Sequence, residues 1–428
     1  MRAAAAPSPV AGSGASARLR SWLASAAERL PRPRDERAVH PADPVLAAAV
    51  TALVGFGVVM VYSASAFEAT VRFGDAQHYL KRQVSYAGAG LATMWLVSHV
   101  DYRRLRPFTY PALFLVGAMM VATVAGWGHE AGNAFRWLAV GPIHIQPSEA
   151  AKVAMVLWLA YSLSKKAQKI RTFSVGFLPH LLVVGLFMAL CMRQPDFGSA
   201  VVLLFLTFTM LFVAGVRLGY IVSFSALLGL MAAAAVRFSG YRYARYLSWL
   251  DMEGNRQGLA YQPFQSVMSF GSGGVLGLGL GRGLQVLYLP EAHTDFIAAI
   301  VGEELGFVGI CGLCAVFLLI VARAVKIALM AEDDYGSYLA FGLAAMFGMQ
   351  VLINLAVAMA IIPTKGMTLP FVSYGGSSLL VNLGAAGILL NVSRARPRVA
   401  AAATAAAADG PAPSASAVVA TAAQEGQG

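Results

Sequence analysis

Stretch after stretch of this chain is apolar over the length of a membrane-crossing helix, and that succession excludes most folds. A bilayer's hydrocarbon core asks for roughly 20 apolar residues per helix. Stretches centred near Phe56, Ala92, Gly117, Val156, Leu186, Phe208, Leu228, Cys311, Phe347 and Gly387 meet that requirement. With 58% of its 428 residues hydrophobic and 12% charged, a water-soluble fold could not bury the apolar surface. The pattern predicts an all-α polytopic membrane protein with about ten transmembrane helices.

The basic residues predict how it is threaded. Arg103, Arg104 and Arg106, Lys165, Lys166, Lys169 and Arg171, Arg217, Arg323 and Lys326, and Arg394, Arg396 and Arg398 fall in connections on one side. Short cationic connections stay in the cytoplasm. Both termini are therefore expected there, and Val45 to Phe67 reads as an uncleaved signal-anchor helix. Residues 1–43, rich in Ala, Arg and Pro, read as a cytoplasmic disordered basic tail, neither cleaved nor exported. Residues 44–393 form the membrane domain, and 394–428 a cytoplasmic low-complexity tail. Within the domain, 238–294 is too polar to span and is expected as one long extracytoplasmic loop before the eighth helix. It carries Arg242, Arg245, Arg256 and Arg282, which suit an anionic, lipid-linked substrate or are plain solvated charge. The net charge of +11 is thus a topology signal. No basic face interleaved with aromatics supports nucleic-acid binding.

Other signals are weak. Cys191, Cys311 and Cys314 lie in apolar runs, and the spacing of the last two lacks the context of a redox motif. The glycine-rich stretch 271–283 lacks the Gly-Lys-Ser/Thr ending of a phosphate loop and is expected to be a flexible, substrate-covering or hairpin-forming segment. No Ser-His-Asp order, nucleophile elbow or His-rich metal spacing is found.

Four polar groups at helix ends stand out against this background. The first runs from Arg136 through Gln146-Pro147-Ser148-Glu149 to Lys152. Pro147 suits a helix start, and Glu149 and Lys152, three apart, share a helical face and are expected to point inward and pair. The plain alternative is a structural ion pair. The second, Arg193 to Ser199, offers a cation and the carboxylate of Asp196. The third is Asp295, at the point where a polar segment gives way to an apolar one, with Glu303 and Glu304 deeper in the same helix. A carboxylate there loses hydration, so it either works on a substrate or favours a helix start through the dipole. His293, two residues away, does not share its helical face. The fourth comprises Lys365 to Pro370 and Ser373 to Ser378, where glycines allow close backbone approach and Ser377 and Ser378 could hold an oxyanion or a sugar.

These motifs, in this order, resemble the SEDS family (shape, elongation, division and sporulation) of polytopic peptidoglycan glycosyltransferases. The most specific are Pro290 to Phe296, Gly302 to Gly306, Arg193 to Gly198, Gln146 to Glu149 and Ser373 to Ser378, and the likeness covers roughly 45–392. The wording Glu291-Ala292-His293 is closer to the division-type than to the elongation-type members. Two departures, Ala298 for a common aromatic and Val286 for a frequent Lys, change packing behind Asp295 and remove one candidate phosphate contact.

The resemblance implies polymerisation of lipid II, a disaccharide-pentapeptide on undecaprenyl pyrophosphate, by inverting hexosyl transfer at the outer face of the bacterial inner membrane, at the division septum. It implies Asp295 as general base, with Arg193, Glu149, Lys152, Arg136, Lys365, Ser377 and Ser378 on the substrate. Arg193 or Lys152 would carry charge developing on the pyrophosphate. A divalent cation, Mg2+ or Mn2+, is not required, with Asp295 and Glu149 as candidate ligands. Implied partners are a class B penicillin-binding protein transpeptidase and other division proteins, and no nucleic acid. The alternatives are a lipid II flippase or transporter, an elongation-type polymerase, or a non-catalytic scaffold. Against a transporter, no inverted repeat is found and the acidic groups gather at one face.

Overall fold

The computed structural model describes residues 41–131, 134–140 and 143–394. The readings of the two tails fall on 1–40 and 395–428, outside the described residues. Each of the ten apolar stretches lies in a helix. The first seven are α1 (Pro44–Phe73), α2 (His78–Ser98), α3 (Thr109–Ala122), α4 (Pro147–Lys165), α5 (Leu178–Arg193), α6 (Phe197–Ala214) and α7 (Leu218–Arg237). Two helices of the expected loop follow, α8 (Gly240–Leu250) and α9 (Tyr261–Gly273), and then α10 (Ile297–Met330), α11 (Asp334–Ala358) and α12 (Gly376–Ser393).

Among the described residues, seven helical segments are long and apolar enough to cross a membrane: those containing α1, α3, α5, α6, α10, α11 and α12. Two of the other three fall short for visible reasons. α2 opens on His78, Lys81, Arg82 and Gln83, and α4 carries Glu149 and Lys152. α7 carries no charged residue before Arg237 and has a shorter apolar stretch.

Local signals set the helix starts. Asp43 caps α1 by accepting the Leu46 N–H at 3.0 Å, with Pro44 in the first position. Asp196 caps α6 through the Ser199 N–H at 3.1 Å, and Asp333 caps α11 through Gly336 at 2.9 Å. At the Asp43 end of the bundle, arginines expected only as topology signals hold carboxylates. Arg323 binds Asp43, Arg103 binds Glu332, and Arg106 binds Asp333, which also accepts from the Tyr102 hydroxyl.

Three expectations need correction. The fold is not purely α: β1 (His129–Ala131), β2 (Ala134–Val140) and β3 (Ile143–Ile145) form an antiparallel sheet in the order β1-β2-β3. Strands of three to seven residues show too few repeats to stand out in a sequence. Residues 238–294 are not a plain loop either, because α8 and α9 lie within them. Nor is the glycine-rich stretch a loose cover.

It is docked against a break in α10. Gly306 adopts φ 66° and ψ −164°, a conformation open to glycine, and interrupts the helix. The exposed backbone groups are met by the glycine-rich stretch. Leu278 and Gly279 donate to the Glu303 and Glu304 carbonyls at 3.0 and 2.9 Å, and Phe307 and Val308 donate to Gly274 and Val275 at 2.9 and 3.1 Å. Broken backbone is tolerated at membrane depth where protein satisfies it. The two glutamates complete this joint. Glu303 accepts the Leu284 N–H at 2.7 Å, and Glu304 accepts the Ser63 hydroxyl at 2.6 Å.

Candidate active site

Asp295 sits in a tight turn just before α10. Glu291, at φ 57°, turns its carbonyl inward to accept the N–H groups of Thr294, Asp295 and Phe296 at 3.2, 3.2 and 3.4 Å. The helix begins at Ile297 after Phe296, and no side chain caps it. Asp295 thus stands directly before the helix without capping it. Its backbone carbonyl accepts from Asn354 Nδ2 at 3.1 Å, and the same amide donates to the Met367 carbonyl at 2.6 Å. The backbone is fixed while the carboxylate makes no hydrogen bond to any described residue.

That carboxylate is half-buried and faces Gly366, which is exposed. A Cβ on Gly366 would lie 2.8 Å from Asp295 Oδ2 and 3.9 Å from Arg136 Nη1. The missing side chain thus opens the space between a carboxylate and a guanidinium. Burial, with Glu291 and Asp196 nearby, pushes the Asp295 carboxyl up to about 7, against the pull of Arg136.

Arg136 is placed by the turn between α5 and α6. Its Nε and Nη2 donate to the carbonyls of Gln194 and Pro195 at 3.1 and 2.7 Å. Arg193, the cation of the second group, is exposed. The two cations are equivalent in a sequence, and the β2 strand selects Arg136. Asp196 is buried and accepts the Ser148 hydroxyl at 2.7 Å and the Ser199 N–H, joining the starts of α4 and α6.

Glu149 and Lys152 form the inward pair their spacing predicts. Lys152 is 2% exposed and donates to Glu149 Oε1 and Gln350 Oε1, both at 2.8 Å. Glu149 Oε2 accepts from Ser378 at 3.1 Å, and the Ser378 hydroxyl also meets Thr368 at 2.9 Å. Ser377 accepts the Gln146 N–H at 3.3 Å. Lys152 is thus enclosed by protein. Its ammonium is committed to Glu149 and Gln350.

Lys365 directly precedes Gly366 in the chain. Its Nζ lies 3.5 Å from the centre of the Phe197 ring. Burial, and then the neighbouring Arg245, brings its ammonium down to about 8. Arg245 of α8 donates to the Thr364 hydroxyl at 2.6 Å. The sequence reading missed Gln350 and Asn354, two amides four apart in an otherwise apolar run, a spacing that signals one polar helix face. Arg245, read only as one of four basic charges of the 238–294 loop, is not singled out by the sequence.

Of the two carboxylates considered for a divalent cation, Glu149 is committed to Lys152 and Ser378. Among the described residues no group of three His, Cys, Asp or Glu side chains could hold an ion. A cation at Asp295 would have one protein carboxylate and would depend on substrate oxygens for its other ligands.

A sequence model of the cell cycle protein family FtsW/RodA/SpoVE matches residues 44–398. The chain is 42% identical over 353 residues to the probable peptidoglycan glycosyltransferase FtsW of Trichlorobacter lovleyi, covering 82% of this chain and 93% of that one. Its fold is similar to a chain solved in work on the structural coordination of polymerization and crosslinking by a peptidoglycan synthase complex. There the TM-score is 0.70 and the identity 31%, over 82% of this chain and 98% of that one. The crystal structure of the rod shape determining protein RodA of Thermus thermophilus matches with a TM-score of 0.62 and 30% identity, over 83% and 97% of the two chains. The chain belongs to the FtsW/RodA/SpoVE family of cell cycle proteins.

Proposed function

We propose that this protein is a peptidoglycan glycosyltransferase that polymerises lipid II during cell division, with Asp295 as its general base. The observation that carries the reading is a carboxylate with a rigid backbone, no hydrogen-bond partner among the described residues, and a near-neutral pKa, opening onto Gly366 beside Arg136. A sugar hydroxyl is a poor nucleophile at neutral pH and needs a base poised close to the working pH. Ionised Asp295 accepts the hydroxyl proton as that oxygen attacks the donor's anomeric carbon. The bond from that carbon to the diphosphate breaks, and the lipid diphosphate leaves with the electron pair. Arg136, beside Gly366, and Lys365, the residue before it, supply positive charge for the departing oxyanions.

The buried polar groups around Glu149 hold this constellation together. Lys152, Gln350, Ser378 and Thr368 join α4, α11, α12 and the segment carrying Lys365 and Gly366, which ties that segment to the bundle. In this reading the Asp295 end of the bundle faces outward, both tails face the cytoplasm of a multi-pass inner-membrane protein, and the enzyme works at the septum. A crosslinking transpeptidase is its partner, in keeping with the synthase complex to which its fold is similar.

The test is polymerisation of fluorescent lipid II by the purified full-length protein in detergent, where translocation across a membrane has no meaning. Wild type is expected to produce glycan strands and Asp295→Asn none, a loss on the order of 10²–10⁴-fold for a general base. Strand formation by Asp295→Asn at the wild-type rate would overturn the assignment.

A further inference from the structure

The turn that carries Asp295 has a second anchor that the chemistry above does not use. His293 is 4% exposed, and its ring packs against two tyrosines, with centroids 4.5 Å from Tyr79 of α2 and 5.5 Å from Tyr374. Tyr79 and Tyr374 themselves meet edge to face at 5.1 Å. The backbone N–H of Tyr374 donates to the His293 carbonyl at 2.9 Å. A phenylalanine would fill such a cage, so the ring nitrogens call for a reason of their own. His293 Nδ1 has no hydrogen-bond partner and lies 3.4 Å from Oε2 of Glu68, near the end of α1. A buried polar atom left this close to an acceptor marks a contact that a small adjustment would complete. Besides Glu68, the charged and titratable groups facing the imidazole are Arg72 on α1, Glu291 on its own turn, Tyr79 on α2 and Tyr374 before α12.

We propose that His293 is a positioning residue: its contact with Glu68 clamps the Asp295 turn to the outer end of α1 and sets the carboxylate against the acceptor hydroxyl. The carboxylate has no hydrogen bond to a described residue to orient it, so its direction depends on the turn. That turn is held from one side by Asn354 on the Asp295 carbonyl, and from the other by Tyr374 on the His293 carbonyl and by the imidazole. One residue, Thr294, separates clamp and base, and misplacement by about 1 Å can cost on the order of 10²-fold in rate. The inference rests on Asp295 acting as the base.

The test uses the full-length protein in proteoliposomes with fluorescent lipid II, and reads kcat and KM separately. His293→Phe keeps an aromatic ring against the tyrosines and removes the nitrogens. It is expected to lower kcat at least tenfold with KM within about twofold, since the clamp acts on geometry and not on binding. His293→Asn, whose amide can donate near the place of Nδ1, recovers most of the loss. Glu68→Leu lowers kcat as His293→Phe does, and the double variant falls no further than the worse single one. A folded His293→Phe protein with wild-type kcat overturns the proposal, as do losses that multiply in the double variant. If His293→Phe fails to fold, Glu68→Leu and its cycle with His293→Asn decide by the same criteria. Asp295→Asn is run in parallel. If it is inactive while His293→Phe and Glu68→Leu are normal, only the clamp is refuted, whereas full activity of Asp295→Asn refutes the base and the clamp together.

Discussion

Replacing Asp295 by Asn removes a carboxylate that the folded protein holds in its uncharged form more tightly than water would, so the variant is expected to be more stable while inactive. The unfolded chain ionises this group near 3.8, and the folded one near 7. At about 1.4 kcal/mol per pH unit, the ionised carboxylate costs the fold on the order of 4 kcal/mol at neutral pH. Solvent reaching its exposed edge lowers this to about 2–4 kcal/mol. At roughly 2 °C per kcal/mol for a large chain, the apparent Tm rises by several degrees.

The pH dependence separates this cause from any other. Below the unfolded pKa both states are protonated, and the charge costs nothing. As the pH rises from about 4 to about 7 the unfolded chain ionises first, and wild type loses stability relative to Asp295→Asn. Above the folded value the gap levels off. Thermal unfolding of both proteins in the same detergent should show a Tm difference that is small at pH 4, widens to pH 7 and then stays constant. A gap that is independent of pH, or a less stable Asn variant, would refute the argument that burial raises this group.

Four further outcomes follow from the same geometry. The pH profile of kcat/KM should be a narrow bell, because Asp295 must be ionised above about 7 and Lys365 charged below about 8; Lys365→Arg should carry the upper limb to higher pH, and an unmoved limb would exclude Lys365 from it. Gly366→Ala places a methyl group 2.8 Å from Asp295 Oδ2, so kcat should drop on the order of 10²-fold with little change in thermal stability; retained activity would show that the carboxylate is not confined there. Lys152→Met strands the Glu149 carboxylate beside Gln350 and should cost about 3–5 kcal/mol of stability, seen as lower Tm or yield; a fully stable variant would show that the pair bears no structural load. Single cysteines at Ala15 and Ala415 in a cysteine-free background should resist an impermeant thiol reagent in intact spheroplasts, and labelling of either would reverse the topology.

Membrane depth is what made so much of this molecule legible. Apolar length declares a helix, and a charge that persists beside one declares a cost that something must offset. Asp295, Glu149, Lys152 and Asp196 stood out on that ground, and each lies in the connected groups around the site. Direction was harder to read. Arg136 and Arg193 carry the same guanidinium, and only the sheet decides that the first reaches Gly366 while the second stays exposed. That sheet was itself hidden by strands too short to show a period. Gly306 illustrates the same limit: glycine inside an apolar helix is ordinary, and its break appears only with the partner stretch that satisfies it. Gln350 and Asn354 mark the opposite case. Two amides in an apolar run could be recognised as inward-facing from spacing alone, but their partners come from α4, from the Asp295 turn and from Met367, at separations of 198, 59 and 13 residues. What a sequence yields here is the set of groups that must be satisfied. Which group satisfies which is settled by the packing of helices that lie far apart along the chain.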